Sequence, residues 1–305
     1  MRDIEFQPLL TTVIGSYPPA GLPPRRAVQR AVEDQIAAGV ELISDGQMRG
    51  DMIGAFAARI PGFRLADDGT WEVEDALDLP DGHIAAGDYA LARKLAAGRA
   101  EVKGVVTGPI TLALSCRVAT TAPYTDAADP ALLLRLAEIL AREVAALVAA
   151  GANVVQIDEP ALAKALGTRV SPELAYDALR SLAAMPRLPA LHVCGDIRAV
   201  ATELLILPFA VLAFENSCIA NLAALDADEL DLTTVRLSPG CVDTQSAEVE
   251  SAAVIGDRIR AVLERIEAER VWVAPDCGLR LLDPEVARRK LAHMVAAAQT
   301  VQAEL

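Results

Sequence analysis

No uninterrupted apolar run in this 305-residue sequence reaches the ~18 residues that a membrane-spanning helix needs. The chain is nevertheless 53% hydrophobic, and much of that fraction is alanine, in stretches such as 145–152, which suits helices wrapped round a sheet. Positive charge is also short: 28 Lys and Arg against 42 Asp and Glu give a formal charge of −14. Phosphate binding needs clustered Lys and Arg, so a nucleic-acid partner is excluded. Five cysteines without the regular spacing of a disulfide scaffold read as reduced thiols, with metal binding or catalysis as their special role. The segment Met1 to Leu10 carries Asp3 and Glu5 and lacks the basic start and apolar core of a signal peptide. A cytoplasmic location with no membrane association is expected. No Ser/Pro-rich linker and no internal repeat divides the chain, so residues 1–305 are expected to form one domain.

Short β-branched runs ending in polar or Gly/Pro punctuation give eight strand candidates: Thr11–Ser16, Val40–Asp45, Val102–Thr107, Asn153–Asp158, Pro189–Cys194, Ala210–Glu215, Thr234–Ser238 and Val271–Pro275. Helical periods lie between most of them. Ala131–Ala150 is the clearest, with Leu132, Leu136, Ile139, Leu140 and Val144 on one stripe; 247–270 and 284–304 are the others. Strand and helix alternating eight times predict an α/β fold, a parallel (β/α)8 TIM barrel. An open doubly wound sheet is the rival, weakened by the lack of a Gly-x-Gly-x-x-Gly turn after the first strand. Residues 54–101, with Phe56, Phe63 and Trp71, are too long for a simple connection and read as an insertion over the barrel mouth after the second strand.

In a barrel the polar strand ends all face one side, where active sites of this fold are built. His192 and Cys194, two apart at the end of a strand, point the same way. Glu215 ends the next strand, and Cys277 follows the eighth. Imidazole, two thiolates and a carboxylate form a set that zinc accepts and that calcium and magnesium do not favour. Cys241 also follows a strand end and rivals Cys277. Cys116 and Cys218 read as packed structural thiols, and His83 and His293 as surface residues.

The elements Thr11-Thr-Val-Ile-Gly-Ser-Tyr-Pro18, Asp45-Gly-Gln, Arg49-Gly-Asp-Met52, Gly108-Pro-Ile-Thr111, Gln156-Ile-Asp-Glu-Pro-Ala161, His192-Val-Cys194, Glu215, Gly240-Cys-Val-Asp-Thr-Gln245 and Cys277-Gly278 occur in this order over nearly the whole chain. In them the sequence resembles the catalytic barrel of the cobalamin-independent methionine synthase family and its short single-barrel homologues. The resemblance implies zinc held by His192, Cys194, Glu215 and Cys277, which favours Cys277 over Cys241. It also implies homocysteine as the thiol substrate, its carboxylate at Gly15 and Ser16 and its amino group at Asp158 and Gln47. A hydroxyl or backbone amide at 15–16 can donate to a carboxylate, and Asp158 can pair with an ammonium. Glu159 either shares that role or is structural. The implied reaction is S-methylation: zinc deprotonates the thiol, which then attacks an electrophilic methyl group. Two cysteinates and Glu215 would put about three negative charges round Zn2+ and keep the bound sulfur nucleophilic.

Four departures from the family pattern bear on the methyl donor. The extra N-terminal barrel that helps bind folate in the two-barrel enzymes is not expected in this protein. Gly108-Pro-Ile-Thr111 runs into Leu112-Ala-Leu-Ser-Cys116 rather than a tryptophan. Gln47 stands where the family has a glutamate, and Gln245 where it has the histidine proton donor; an amide cannot act as a general acid. A methyl leaving from a folate nitrogen needs that proton, whereas a methylated corrinoid expels reduced cobalt without one. A methylcorrinoid, either methylcobalamin or a corrinoid protein, is therefore expected as donor rather than methyltetrahydrofolate. The alternatives are transfer of another small thiol, such as coenzyme M, to an alkyl or epoxide electrophile, and a non-catalytic barrel that docks a corrinoid protein. A porphyrinogen-decarboxylase type of barrel, which lacks the zinc set, is a further enzyme alternative.

Overall fold

The computed structural model describes residues 7–225, 230 and 233–305; Asp3 and Glu5 lie outside the described residues. Polar caps followed by proline start several helices. Asp129 accepts the Ala131 N–H ahead of the helix Pro130–Ala149, Ser171 that of Leu174 ahead of the helix Pro172–Ala183, and Asp283 that of Glu285 ahead of the helix Pro284–Gln302. In each case proline supplies the first helical residue, where its missing N–H costs nothing.

In chain order the main elements are β1 (Leu10–Thr11), α1 (Pro24–Ala37), β2 (Leu42–Ile43), α2 (Gly54–Ala57), β3 (Phe63–Leu65), β4 (Trp71–Val73), α3 (Ala86–Ala96), β5 (Glu101–Val102), β6 (Gly104–Thr107), α4 (Pro109–Leu114), β7 (Arg117–Val118) and α5 (Pro130–Ala149). They continue as β8 (Val154–Asp158), α6 (Leu162–Ala165), α7 (Pro172–Ala183), β9 (Leu188–Val193), α8 (Ala201–Leu205), β10 (Val211–Phe214), β11 (Arg236–Pro239), α9 (Ala252–Leu263), β12 (Trp272–Val273) and α10 (Pro284–Gln302). Strands β6, β8, β9, β10 and β11 form one parallel sheet in that order. β2 pairs in parallel with β5, which only Lys103 separates from β6. β1 pairs in parallel with β12, the first strand with the last. Single parallel bridges join Thr12 to Leu42, Leu237 to Val271 and Gly240 to Ala274.

Each strand expected from the sequence is present, but several are shorter. The first leaves its ladder after Thr12, so that Gly15 and Ser16 belong to a loop rather than a strand. The one expected over 102–107 is divided at Lys103, because its two halves pair with different neighbours. The stretch 54–101 is also less uniform than expected. Its last part, α3, packs beside α1 and α5 in the helical layer. Ahead of it, β3 and β4 form an antiparallel hairpin extended by β7.

Period-2 alternation sorts the strand residues between two environments. Val155, Ile157, Leu191, Val193, Leu212 and Phe214 join the large apolar core with Leu132, Leu136, Leu140 and Val144 of α5. Smaller apolar clusters hold Leu10, Leu42, Ala190 and Trp272, and above them Ile14, Ala213 and Ala274. Gln156, Asp158 and His192 alternate with the core residues along β8 and β9 and so face away from the helices. Among the described residues, no helix is long and apolar enough to cross a membrane.

Glu143 of α5, 3% exposed, ties the irregular stretch to the core by accepting the backbone N–H groups of Ile84, Ala85 and Ala86 at 2.8, 2.7 and 2.9 Å. A carboxylate at the start of α3 also suits the helix dipole. Glu143→Ala should therefore cost about 2–4 kcal/mol of stability, because several donors lose a charged acceptor. Hydrogen exchange in this variant should accelerate first across 84–96; unchanged protection there would show that packing alone holds the helix.

Candidate metal centre

Three side chains that the sequence marks as ligands meet at the carboxyl ends of the parallel strands. His192 is the penultimate residue of β9, and Cys194 follows two residues on, so both project the same way. His192 Nε2 lies 3.2 Å from Cys194 Sγ, and Cys194 Sγ 3.5 Å from Cys277 Sγ, just beyond β12. One ligand atom from each of these residues lies within 4.8 Å of the others. Imidazole and two thiols at this spacing suit zinc, a metal with affinity for nitrogen and sulfur. His192 Nδ1 is buried without a hydrogen-bond partner.

The proton affinities of the three groups are interdependent. The Cys194 hydrogen bond and His192 hold the Cys277 thiol down to about 4, against the effect of burial. Cys194 is pushed up by its bond to Cys277 and by burial. For His192, burial disfavours the charged form, but the Cys277 thiolate outweighs it and raises the pKa. A ready thiolate is what a metal needs as ligand.

Glu215 follows β10 and is half-buried; its Oε1 accepts the Gly195 N–H at 3.0 Å. It stands beside the Cys194 turn but outside the three-residue cluster. Cys241 is not brought to the cluster: it is buried and its thiol donates to the Ala274 carbonyl at 3.3 Å. Cys116 is buried as expected, whereas Cys218 is exposed rather than packed. His83 is exposed, but His293 is half-buried, with Nδ1 2.7 Å from the Glu250 carbonyl.

The metal-ligand candidates open onto a cavity of about 310 Å³ that Ser16, Gln47, Asp158, Gly278 and Arg280 also line. Gly278 makes room for the serine: a Cβ there would sit 2.0 Å from Ser16 Oγ. Gly15 accepts Ser44 Oγ at 2.5 Å through its carbonyl and passes close to the Gln47 amide. Gln47 adopts a left-handed backbone, φ 52°, unusual for a residue with a side chain. Its N–H bonds to Asp45 Oδ1 at 2.9 Å, and its carbonyl accepts Arg280 Nη1 at 3.1 Å. Burial pushes the Asp45 carboxyl up to about 6.

Asp158, the last residue of β8, lies opposite His192 in the ladder. Its Oδ1 accepts Gln156 Nε2 at 2.6 Å, and Gln47 Nε2 lies 3.4 Å from Oδ2. Behind Gln156 lies Lys103, whose Nζ donates to Gln156 Oε1 at 2.6 Å and to the Val13 carbonyl. Burial pushes its ammonium down to about 7, opposed by the Asp158 charge. Neither Lys103 nor Arg280 belongs to the site expected from the sequence. A lysine within the apolar run Val102–Val106 is the signal that marks the first; nothing in the local pattern marks the second.

Two expected site residues lie elsewhere. Glu159 is fully buried, and its oxygens accept the N–H groups of Ile110 at 2.9 Å and Thr111 at 2.6 Å, so it caps α4 instead of facing the cavity. Gln245 is exposed, its N–H bonded to Asp243 Oδ1 at 2.8 Å, and it does not line the cavity. Beside the cavity is a larger one of about 510 Å³, bordered by Gln47, Gly50, Asp51 and Met52 on their other side and by Phe56 and Ile84.

Residues 20–300 match the family described as "Cobalamin-independent synthase, Catalytic domain". The methionine synthase of Methanothermobacter thermautotrophicus is 35% identical, over 95% of this chain and 99% of its own. That of Methanocaldococcus jannaschii is 33% identical over 96% and 100%. The 5-methyltetrahydropteroyltriglutamate–homocysteine methyltransferase of Nitratidesulfovibrio vulgaris is 30% identical over 91% of this chain, but only 37% of its own length is covered. Among solved structures, a B12-independent methionine synthase from Shewanella sp. W3-18-1, in complex with selenomethionine, superposes with a TM-score of 0.81 at 21% identity, covering 98% of this chain and 99% of that one. The chain belongs to the cobalamin-independent methionine synthase family, a family of methyltransferases.

Proposed function

We propose that this chain is a zinc-dependent methyltransferase that moves a methyl group from a methylcorrinoid to the thiol of homocysteine. The observation that carries the reading is the His192–Cys194–Cys277 cluster at the wall of a cavity also lined by Ser16, Gln47 and Asp158. The strands are read as one closed (β/α)8 barrel, supported by the pairing of first strand with last and by the bridges between the remaining neighbours. The residues from 54 to 85 are read as an insertion at its mouth, supported by their place in the wall of the larger cavity.

His192, Cys194 and Cys277 would hold the zinc, with Glu215 as fourth ligand. Zinc, when bound, supplies the positive charge that removes the proton from a substrate thiol near neutral pH. Ser16, with the backbone at Gly15, receives the amino-acid carboxylate, and Asp158 receives the ammonium with the Gln47 amide beside it. These contacts fix the sulfur at the metal-ligand end of the cavity and convert an encounter into an oriented approach. The thiol loses its proton, a sulfur–carbon bond forms, and the bond from methyl to donor breaks with its electron pair staying on the donor. The neighbouring cavity, which shares Gln47, Gly50, Asp51 and Met52 with the first, offers the donor a route to the sulfur.

Gln245 leaves no general acid at the position where the family has a histidine, and a corrinoid leaving group needs none. With zinc-loaded protein and homocysteine, methylcobalamin should therefore sustain methionine formation where methyltetrahydrofolate does not. Efficient turnover with the folate alone would overturn the donor assignment. Purified protein should also hold zinc, measured by elemental analysis, and Cys277→Ala should weaken its affinity by more than about 100-fold, since even the loss of a residue that only supports a ligand costs 10–100-fold. Cys241→Ala should leave zinc content unchanged; the reverse pattern would move the ligand assignment to Cys241.

A further inference from the structure

We propose that Lys103 is a positioning residue for substrate recognition: through Gln156 it orients Asp158 toward the ammonium of the amino-acid thiol. The inference rests on the substrate reading above. Lys103 is 3% exposed and sits where the strand changes partners between β5 and β6. A cation buried to this degree is costly unless its donors are used, and Lys103 uses them on acceptors alone, the Val13 carbonyl and Gln156 Oε1.

The consequence falls on the Gln156 amide. The two ends of a glutamine side chain have nearly the same shape, and only their partners decide which end faces where. With the Lys103 amine donating to one end, that end must be the oxygen. Nε2 is then committed to the other side, where it donates to the Ile14 carbonyl at 2.8 Å and to Asp158 Oδ1 at 2.6 Å. A reversed amide would set its oxygen against the Asp158 carboxylate. The chain from Lys103 to Asp158 thus occupies one carboxylate oxygen and leaves Oδ2, near Gln47 Nε2, toward the cavity. Lys103 itself does not line the cavity and touches no metal-ligand candidate through a hydrogen bond. Its effect is on the ammonium subsite rather than on the sulfur.

The test compares binding of homocysteine with binding of 4-mercaptobutanoate, which has the same thiol and carboxylate but no ammonium, to zinc-loaded wild-type and Lys103→Met protein by calorimetry. In the variant, Kd for homocysteine should rise about 10–100-fold, the range for losing a hydrogen bond to a charged group, and Kd for 4-mercaptobutanoate should stay within about twofold. Equal weakening of both ligands, or of neither, would overturn the role of Lys103. A wild-type protein that does not prefer homocysteine over the des-amino thiol would instead overturn the substrate reading. If Lys103→Met does not fold, Gln156→Leu should show the same selective loss, since it removes the donor to Asp158. Retained preference in that variant, or failure of both variants to fold, would make the pair structural and end the proposal.

Discussion

The candidate site depends on one constraint, the register of the parallel strands. Asp158 stands opposite His192, and His192 opposite Ala213. Because side chains alternate along each strand, this register sends Asp158 and His192 to the same face and the intervening valines, leucines and isoleucines to the helical layer. A slip of one residue would bury the imidazole among the helices and turn Ile157 toward the cavity. Register is therefore strongly specified by the apolar residues that do no chemistry. The cysteines depend on it in turn, since Cys194 continues the His192 direction and Cys277 arrives on the chain that leaves β12.

The same face carries a buried polar chain unusual for the inside of a parallel sheet. Lys103, Gln156 and Asp158 are each at most 5% exposed, and partly satisfied networks of this kind are more harmful than an apolar filling. Here the links from Lys103 to Gln156 and from Gln156 to Asp158 are short and directional, and the chain ends at the cavity wall. The carboxylate that caps α4, Glu159, shows the contrasting case: adjacent in sequence to Asp158, it points to the opposite face and spends both oxygens on backbone N–H groups. Alternation alone assigns one acid to the site and its neighbour to the scaffold.

Much of this was legible in the sequence. The positions of the parallel strands follow from β-branched runs with polar ends, and His192 and Cys194 from ligand chemistry at those ends, whereas the choice of Cys277 over Cys241 comes from the family resemblance. The strand limits were less legible, because a ladder stops where its neighbour's ladder stops: β1 is short since β12 is short. Residues 54–101 read as one irregular block because no local pattern shows that α3 is held by Glu143, more than fifty positions away in the chain. Motif and proximity in sequence point to Gln245 and Glu159, but neither signal reports the direction of a side chain. The role of Lys103 is not legible in its own segment, because its partners, Val13 and Gln156, belong to other parts of the chain. Glu215 remains half-buried beside the Cys194 turn, bonded to the Gly195 N–H, and its carboxylate is the part of the proposed ligand set that lies outside the three-residue cluster.

The central proposal is that the His192–Cys194–Cys277 cluster holds a zinc ion to which the substrate thiol is delivered. X-ray absorption at the zinc edge of the full-length protein, recorded before and after adding homocysteine, tests it most directly. The expected result is a sulfur and nitrogen/oxygen environment consistent with Cys194, Cys277, His192 and Glu215 that gains one sulfur when homocysteine binds. A zinc environment without sulfur, or one whose sulfur content is unchanged at saturating homocysteine, would contradict it.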